Sequence, residues 1–395
     1  MTDKRINERK YDGFSILKNP VPSQETALPF TIAQAEHVLR FHCSLPEYRE
    51  TELVSLKGVA SRYGVDSIFV KDESSRFGLK AFKGLGGTYC MFRILCERFG
   101  LDYRTVDYST FLNEDFRRRC QEIEFVTATD GNHGKGVSYA AKLFGCKAHV
   151  YMPKGTVEAR RKAIEDAGNA IARITEYNYD QTVRHAAKQA ENNGWILIQD
   201  TSWEGYEQIP AWIIEGYLTM AAESLEQMKG KRPTHIFLQA GVGAMAAGVE
   251  SCFISLCEGY RPSVAIVEAS AADCIYRSVL MNDGMPHSIS GDPFTIMAGL
   301  NCGTPCGIAW PILRDLSTHF CSCKDRITEE GMRAYADSGI ISGESGAVTY
   351  GLLLQILKSE ELRELFGIKE DSIILLFNTE GDTDPEGYQK TVLSQ

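Results

Sequence analysis

The chain predicts an α/β fold of two domains, each built on a mostly parallel sheet flanked by helices. Three observations carry that prediction. Short apolar runs of strand length alternate with longer helical stretches, the runs end in glycine or polar residues, and 395 residues exceed what one domain commonly holds. Such alternation makes βαβ units, whose parallel sheets are covered on both faces. Ligands of these sheets bind at the carboxyl ends of the strands, so the loops that follow the strands are where chemistry is expected.

The elements follow in order. "SIFVKDE" (67–73) is a short β-branched and aromatic run. "AFKGLGGTYCMFRILCERFG" (81–100) follows, with Tyr89, Phe92, Leu95, Cys96 and Phe99 at helical spacing. Phe125-Val126-Thr127 is a strand that runs into "ATDGNHGKG" (128–136), a polar turn with three glycines ahead of a helix. "AHVYMPKG" (148–155) is a strand closed by Pro and Gly; "TVEARRKAIEDAG" then reads as a helix with Thr156 as N-cap and Gly168 as its stop. "AIARI" (170–174), "THIFLQAG" (234–241), "SVAIVEA" (263–269) and "SIILLFNTEGD" (372–382) complete the strand set. The expected division is a larger domain of residues 1–87 and 225–395, with a smaller α/β domain of residues 88–224 inserted.

Composition narrows the function classes. Hydrophobic residues at 44% and charged residues at 24% suit a globular protein with a sizeable core. A formal net charge of −10 argues against nucleic acid, which requires a basic face; "RRR" at 117–119 reads as a solvated helix face. No apolar run approaches the ~20 residues of a membrane span, and "MTDKRINERK" lacks the apolar core of a secretory signal. The twelve cysteines are therefore expected as reduced thiols of a cytoplasmic protein. "HFCSCKD" (319–325) has no companion cluster at zinc-site spacing, so no metal is predicted. Cys274 and Cys302 lie in glycine- or acid-flanked loops and read as two free thiols, with a pair as the alternative.

Three loops carry the chemistry. In "QAGVGAMAAG" (239–248) a strand enters glycines at 241, 243 and 248, so the backbone of Gly241, Val242, Gly243, Ala244 and Met245 can approach an anion at a helix start. The loop is neither a P-loop nor a G-x-G-x-x-G dinucleotide turn, and close helix–strand packing explains such glycines equally well. Lys83, in "LKAFKGLGG", opens an apolar helix, where the positive end of the helix dipole disfavours a cation. That field, with burial, favours a neutral amine able to form a Schiff base; a surface lysine is the other reading, and Lys80 is a rival. The third loop is the turn holding Asp130, Asn132 and His133.

Together these segments resemble pyridoxal-phosphate enzymes of the tryptophan-synthase-β fold, which include the serine and threonine dehydratases. The similar pieces are "KDESSRFGLKAFKGLGG" (71–87), "TDGNHGKGVSYAAKLFG" (129–145) and "GVGAMAAG" (241–248). "QDTSWEGYEQIP" (199–210), "CIYRS" (274–278), "IMAGLNCG" (296–303), "ISGESGAV" (341–348) and "NTEGDTD" (378–384) narrow the resemblance to the diaminopropionate ammonia-lyases within that family. The resemblance implies pyridoxal 5'-phosphate on a Schiff base with Lys83, a homodimer, and a small amino-acid substrate. The implied reaction is α,β-elimination of D- and L-2,3-diaminopropionate to pyruvate and ammonia. It also implies cofactor phosphate on the 241–245 backbone, Asn132 at the ring's phenolic oxygen, and Thr379 at the ring nitrogen, with Asp382 as rival. His133 is expected to orient the turn.

Removing the α-proton and losing a β-amine calls for both a base and an acid. Where the dehydratases have a serine, this chain has Asp130, which attracts the extra ammonium group of a diamino acid. By the resemblance Asp130 serves the D-enantiomer and Asp200 the L-enantiomer; taken alone, Asp200 reads as the N-cap of a helix beginning near 203. The alternatives are a serine or threonine dehydratase of the same family, which Asp130 argues against, and a non-catalytic cofactor-binding protein, which has no chemical need of Lys83.

Overall fold

The computed structural model describes residues 7–19, 28–129, 131–256, 261–291 and 293–393. Asp130 lies outside them. The strands in chain order are β1 (Glu8–Tyr11), β2 (Phe14–Lys18), β3 (Leu53–Ser55), β4 (Ser67–Asp72), β5 (Glu124–Ala128), β6 (Lys147–Met152), β7 (Ala170–Ile174), β8 (Ile196–Leu197), β9 (His235–Gln239), β10 (Ser263–Ala269), β11 (His319–Cys323) and β12 (Ile373–Asn378). The chain forms two compact units: Met1–Ile32, Glu50–Ser75 and Met220–Gln395 make the first, Ala33–Arg49 and Arg76–Thr219 the second.

The first unit holds an eight-stranded sheet in the order β1-β2-β11-β10-β9-β12-β4-β3. The five strands from β11 to β4 pair in parallel, and antiparallel pairings add β1 and β2 at one edge and β3 at the other. Every residue of β9 and β11 is buried, which is why "HIFLQ" and "HFCSC" read as runs without alternation. Cys321 and Cys323 pack in the core with Val267, Phe237 and Leu376. The helices Asp325–Asp337 and Glu344–Lys358 supply Ile327, Met332, Tyr335, Val348 and Leu352 to the same core.

A buried polar knot lies in this unit at β4. Lys71 Nζ is 2.6 Å from Glu223 Oε2, with both side chains sealed from solvent. The amine also donates to Thr51 O (2.6 Å) and Gln227 Oε1 (2.8 Å), and Thr51 Oγ1 donates to Glu73 Oε1 (2.7 Å). These bonds satisfy charges that burial would otherwise make costly.

The second unit holds a parallel sheet in the order β7-β6-β5-β8. Val126, Ala128 and Tyr151 pack on the helix Tyr179–Asn193 through Ala186 and Ala190. That helix opens with a reciprocal capping box, Asn178 Oδ1 accepting from Gln181 N and Gln181 Oε1 accepting from Asn178 N. The helix expected from Thr156 runs Glu158–Ala167 with Val157 at the cap position; Thr156 instead donates to Pro153 O at 2.8 Å. Its hydroxyl serves the turn after β6, one residue too early to cap the helix. Gly168 does end it. Among the described residues no helix is long and apolar enough to cross a membrane.

Candidate active site

The amine of Lys83 is placed by a helix–helix contact in the second unit. Lys83 is the first residue of the helix Lys83–Phe99, which packs on the helix Asn132–Phe144. The contact is backbone to backbone. A Cβ on Gly136 would come within 2.7 Å of Lys83 O, and one on Gly87 within 2.9 Å of Gly136 O. These two glycines in "KGLGG" and "HGKGV" therefore let the Lys83 peptide sit directly on the turn that carries Asn132 and His133. Lys80, the rival, is exposed and has φ 57°.

Around the amine stand two of the expected groups. Lys83 Nζ donates to Asp200 Oδ2 at 2.5 Å, with the two side chains 20% and 12% exposed. His133 is buried; its Nε2 lies 3.0 Å from Ile198 O, so that nitrogen carries the proton. Its Nδ1, a lone pair by that assignment, is 3.8 Å from Asp200 Oδ2 and has no hydrogen-bond partner. Burial holds the His133 pKa below its usual value; Asp200 opposes that and Lys83 adds to it. Burial alone would raise the Asp200 pKa, but the Lys83 charge and hydrogen bond, joined by the charge of His133 only when that ring is protonated, outweigh it. The carboxyl is held well below the usual carboxylate range. With His133 neutral at pH 7, the standing cation beside Asp200 is Lys83.

Asp200 follows β8 rather than capping a helix at 203. Residues 203–206 form a turn closed by Tyr206 N to Trp203 O (2.9 Å), and the next helix begins at Gln208. The glycine and the stacked rings of Trp203 and Tyr206 (centroids 4.4 Å) favour the turn over a helix. On the other strand end, Thr129 Oγ1 accepts from Gly131 N (3.0 Å) and Gly134 N (3.2 Å), and so folds the turn that starts the helix at Asn132. Asn132 is half-buried as that helix's first residue.

The first unit holds the other expected groups. β9 ends at Gln239, and the chain passes through Gly241, Val242 and Gly243 into the helix Ala244–Ile254. Gly243 has φ 90°, which only glycine adopts freely, and it is the cap residue of an 11-residue helix whose first N–H groups lack intrahelical partners. Val242 O is tied by Cys306 N (2.8 Å) and Gly241 O by Cys274 Sγ (3.7 Å). Neither Cys274 nor Cys302 is in a disulfide, and burial pushes the Cys274 thiol up. Just after the adjacent strand β12, Thr379 is buried and its Oγ1 accepts from Gln239 Nε2 at 2.8 Å. That direction leaves the hydroxyl proton available to an acceptor. Asp382 is half-buried. Glu380, buried beside Thr379, instead accepts from Ser345 N (2.9 Å) at the start of the helix Glu344–Lys358.

These donors fit pyridoxal phosphate. In the second unit an amine sits beside a carboxylate; in the first, a glycine turn with φ 90° opens a helix whose first N–H groups have no intrahelical acceptor, and a buried hydroxyl has its proton to give. Sequence reasoning passed over Gln199, Thr129 and Tyr206, which shape the two aspartate loops. Their signal is adjacency, since Gln199 precedes Asp200 and Thr129 precedes Asp130.

Comparison with known proteins agrees with the geometry. Residues 45–377 match the family model of pyridoxal-phosphate dependent enzymes. The diaminopropionate ammonia-lyase of Salmonella typhimurium is 43% identical over 367 residues, 90% of this chain and 91% of that protein. The holo diaminopropionate ammonia-lyase of Escherichia coli superposes with a TM-score of 0.90 at 42% identity, covering 98% of this chain and 97% of that one. The same E. coli enzyme in complex with D-serine superposes with a TM-score of 0.89 at 40% identity, covering 98% of each chain. An α/β chain with an amine-bearing helix start, a glycine turn ahead of a helix and relatives matching across nearly its whole length belongs to the diaminopropionate ammonia-lyase family of pyridoxal-phosphate dependent enzymes.

Proposed function

We propose that this chain converts 2,3-diaminopropionate and water to pyruvate and two molecules of ammonia by pyridoxal-phosphate dependent α,β-elimination. The observation that carries the reading is Asp200 held ionised against Lys83 at 2.5 Å, in a chain of this family. When bound, the cofactor supplies an electron sink for the carbanion left by α-proton loss. Lys83 is the amine through which it attaches. The 241–245 backbone receives its phosphate, Asn132 its phenolic oxygen and Thr379 its ring nitrogen.

The remaining steps belong to side chains. Asp200 is a poor base while an ammonium stands 2.5 Å away, and becomes a better one whenever that charge is withdrawn. It takes the α-proton of the L-enantiomer, and Asp130 takes that of the D-enantiomer; the β-nitrogen leaves protonated, as ammonia requires. A carboxylate at 130, in place of a dehydratase's serine, favours a second ammonium group on the substrate. His133, neutral and buried, orients the turn through Ile198 O. The protein acts as a cytoplasmic homodimer in this reading, which the family likeness supports.

Pyruvate release from D- and L-diaminopropionate, beside D- and L-serine, tests the assignment. Turnover of both diamino acids is expected, with Asp130→Asn selectively losing the D-enantiomer and Asp200→Asn the L-enantiomer. Turnover of serine alone overturns the substrate assignment, and equal loss of both enantiomers in each variant overturns the two-base scheme.

A further inference from the structure

The pairing of β5 with β8 stops early. Only Phe125–Ile196 and Val126–Leu197 are partners, and the bond from Ile198 N to Val126 O (2.9 Å) is the last between the two main chains. Beyond it a side chain takes over. Gln199 is fully buried. Its Oε1 accepts from Ala128 N (3.1 Å) and Thr127 Oγ1 (3.2 Å), and its Nε2 donates to Ala128 O (3.1 Å) and Tyr179 OH (3.4 Å). The carboxamide thus offers Ala128 one acceptor and one donor, as a neighbouring strand would.

This substitution turns the main chain of residue 199 away from β5. Its N–H donates to Tyr206 OH at 2.8 Å, and that hydroxyl donates to Leu197 O at 2.9 Å. Asp200 is therefore pinned from both sides, by the residue before it and by a tyrosine six residues after it. The same carboxamide holds Ala128, two residues ahead of Asp130, and Thr129 ties the far side of that turn through Gly131 and Gly134. One buried amide joins the end of β5, two residues ahead of Asp130 in the sequence, to the stretch that carries Asp200.

We infer that Gln199 and Tyr206 are positioning residues that set the Asp200 loop in register with the end of β5 and the loop tied by Thr129, an assignment that rests on the reading of Asp130 and Asp200 as the proton-transfer groups. Gln199 serves both loops through its side chain; Tyr206 serves the Asp200 loop alone.

The test uses the holoenzyme with Gln199→Leu, which removes the amide, and Tyr206→Phe, which removes one oxygen and keeps the stack on Trp203. In both, kcat is expected to fall by roughly 10- to 100-fold, with KM changed by less than about threefold, because small misplacement of a reacting group acts on the chemical step. Gln199→Leu lowers turnover of both enantiomers, whereas Tyr206→Phe lowers that of the L-enantiomer more and so changes the D-to-L ratio. The pH profile of kcat/KM shifts in both, since the protonation of Asp200 depends on where its carboxyl stands among its neighbours. Amide hydrogen exchange in peptides spanning 124–131 rises in Gln199→Leu. If Gln199→Leu does not fold, Tyr206→Phe decides by the same ratio and pH profile. Folded variants with faster exchange but kcat, ratio and pH profile within twofold of the parent overturn the assignment and leave only a stabilising role. Asp200→Asn separates the two levels. If it is impaired while both variants are normal, only the positioning role fails. If it is fully active with both enantiomers, the reading beneath it fails as well.

Discussion

Adding one methyl group at Gly136 should disable the enzyme from the far side of a helix. The new Cβ would lie 2.7 Å from Lys83 O, 3.0 Å from Lys83 C and 3.1 Å from Gly84 N, all backbone atoms with no rotamer to escape into. Ordinary contact begins at 3.4 Å, so relief of the closest approach moves the Lys83 helix by 3.4 − 2.7, or 0.7 Å. Overpacking of this kind costs about 1–3 kcal/mol, which at roughly 2–4 °C per kcal/mol for a unit of this size lowers Tm by roughly 2–12 °C. A shift near 1 Å in a reacting group costs on the order of 100-fold, so Gly136→Ala is expected to lose tenfold or more in kcat. Gly100→Ala is the control. It ends the same helix with φ 68° and open space around it, so it costs about 1 kcal/mol in backbone strain and leaves kcat alone. Thermal unfolding beside steady-state pyruvate release separates the two. A Gly136→Ala protein that melts early yet turns over at the parent rate would refute the claim that this contact places the amine.

The other predictions concern burial, charge and the cofactor. Lys71→Met strands Glu223 without its partner and should cost about 3–5 kcal/mol in urea unfolding, whereas adding Glu223→Leu should restore most of it; no recovery in the double variant contradicts the pairing. Burial lowers the His319 pKa to about 4, against a bond to Leu365 O that favours the proton. The unfolded chain takes that proton near 6.5, so the stability is whole above about pH 6.5, falls with falling pH, and is spent near pH 4. The change amounts to roughly 3 kcal/mol. His319→Phe, which keeps the stack on Phe366, should flatten the unfolding midpoint over that window; an unchanged slope excludes His319 as its source. Thr379→Val removes the available hydroxyl proton and should weaken cofactor retention about tenfold, measured by reconstitution of the apoenzyme. Undiminished retention would remove Thr379 from the ring-nitrogen role.

Much of the architecture was legible because buried parallel strands announce themselves as apolar runs. "HIFLQ", "SVAIVEA" and "IILLFN" became β9, β10 and β12, and the ligand loops follow their carboxyl ends. The edge strands β1 and β2 were not legible, since "ERKY" is half exposed and has the pattern of a solvated segment. Nor was the membership of Ala33–Arg49 in the second unit, which depends on contacts between distant parts of the chain, such as His42 Nδ1 to Thr219 Oγ1 at 2.6 Å across 177 positions. Lys83 and Asp200 stand 117 positions apart. Motif likeness named each of them, but neither helical nor strand periodicity carries information about which polar side chains meet. Thr156 shows the limit of local rules: an eligible cap residue bonded to the nearer carbonyl, at Pro153.

The backbone seat of Lys83 on Gly136 also decides which neighbours of that lysine are open to redesign. The reference frame of the amine is the Asn132–Phe144 helix, not the stretch of chain that leads up to residue 83. That stretch bends through left-handed residues at Phe77, Gly78 and Lys80, and its tip is exposed at Gly78 and Lys80. Substitution at this exposed tip is therefore expected to leave the amine where it is, whereas a side chain added on the far helix at Gly136 moves it.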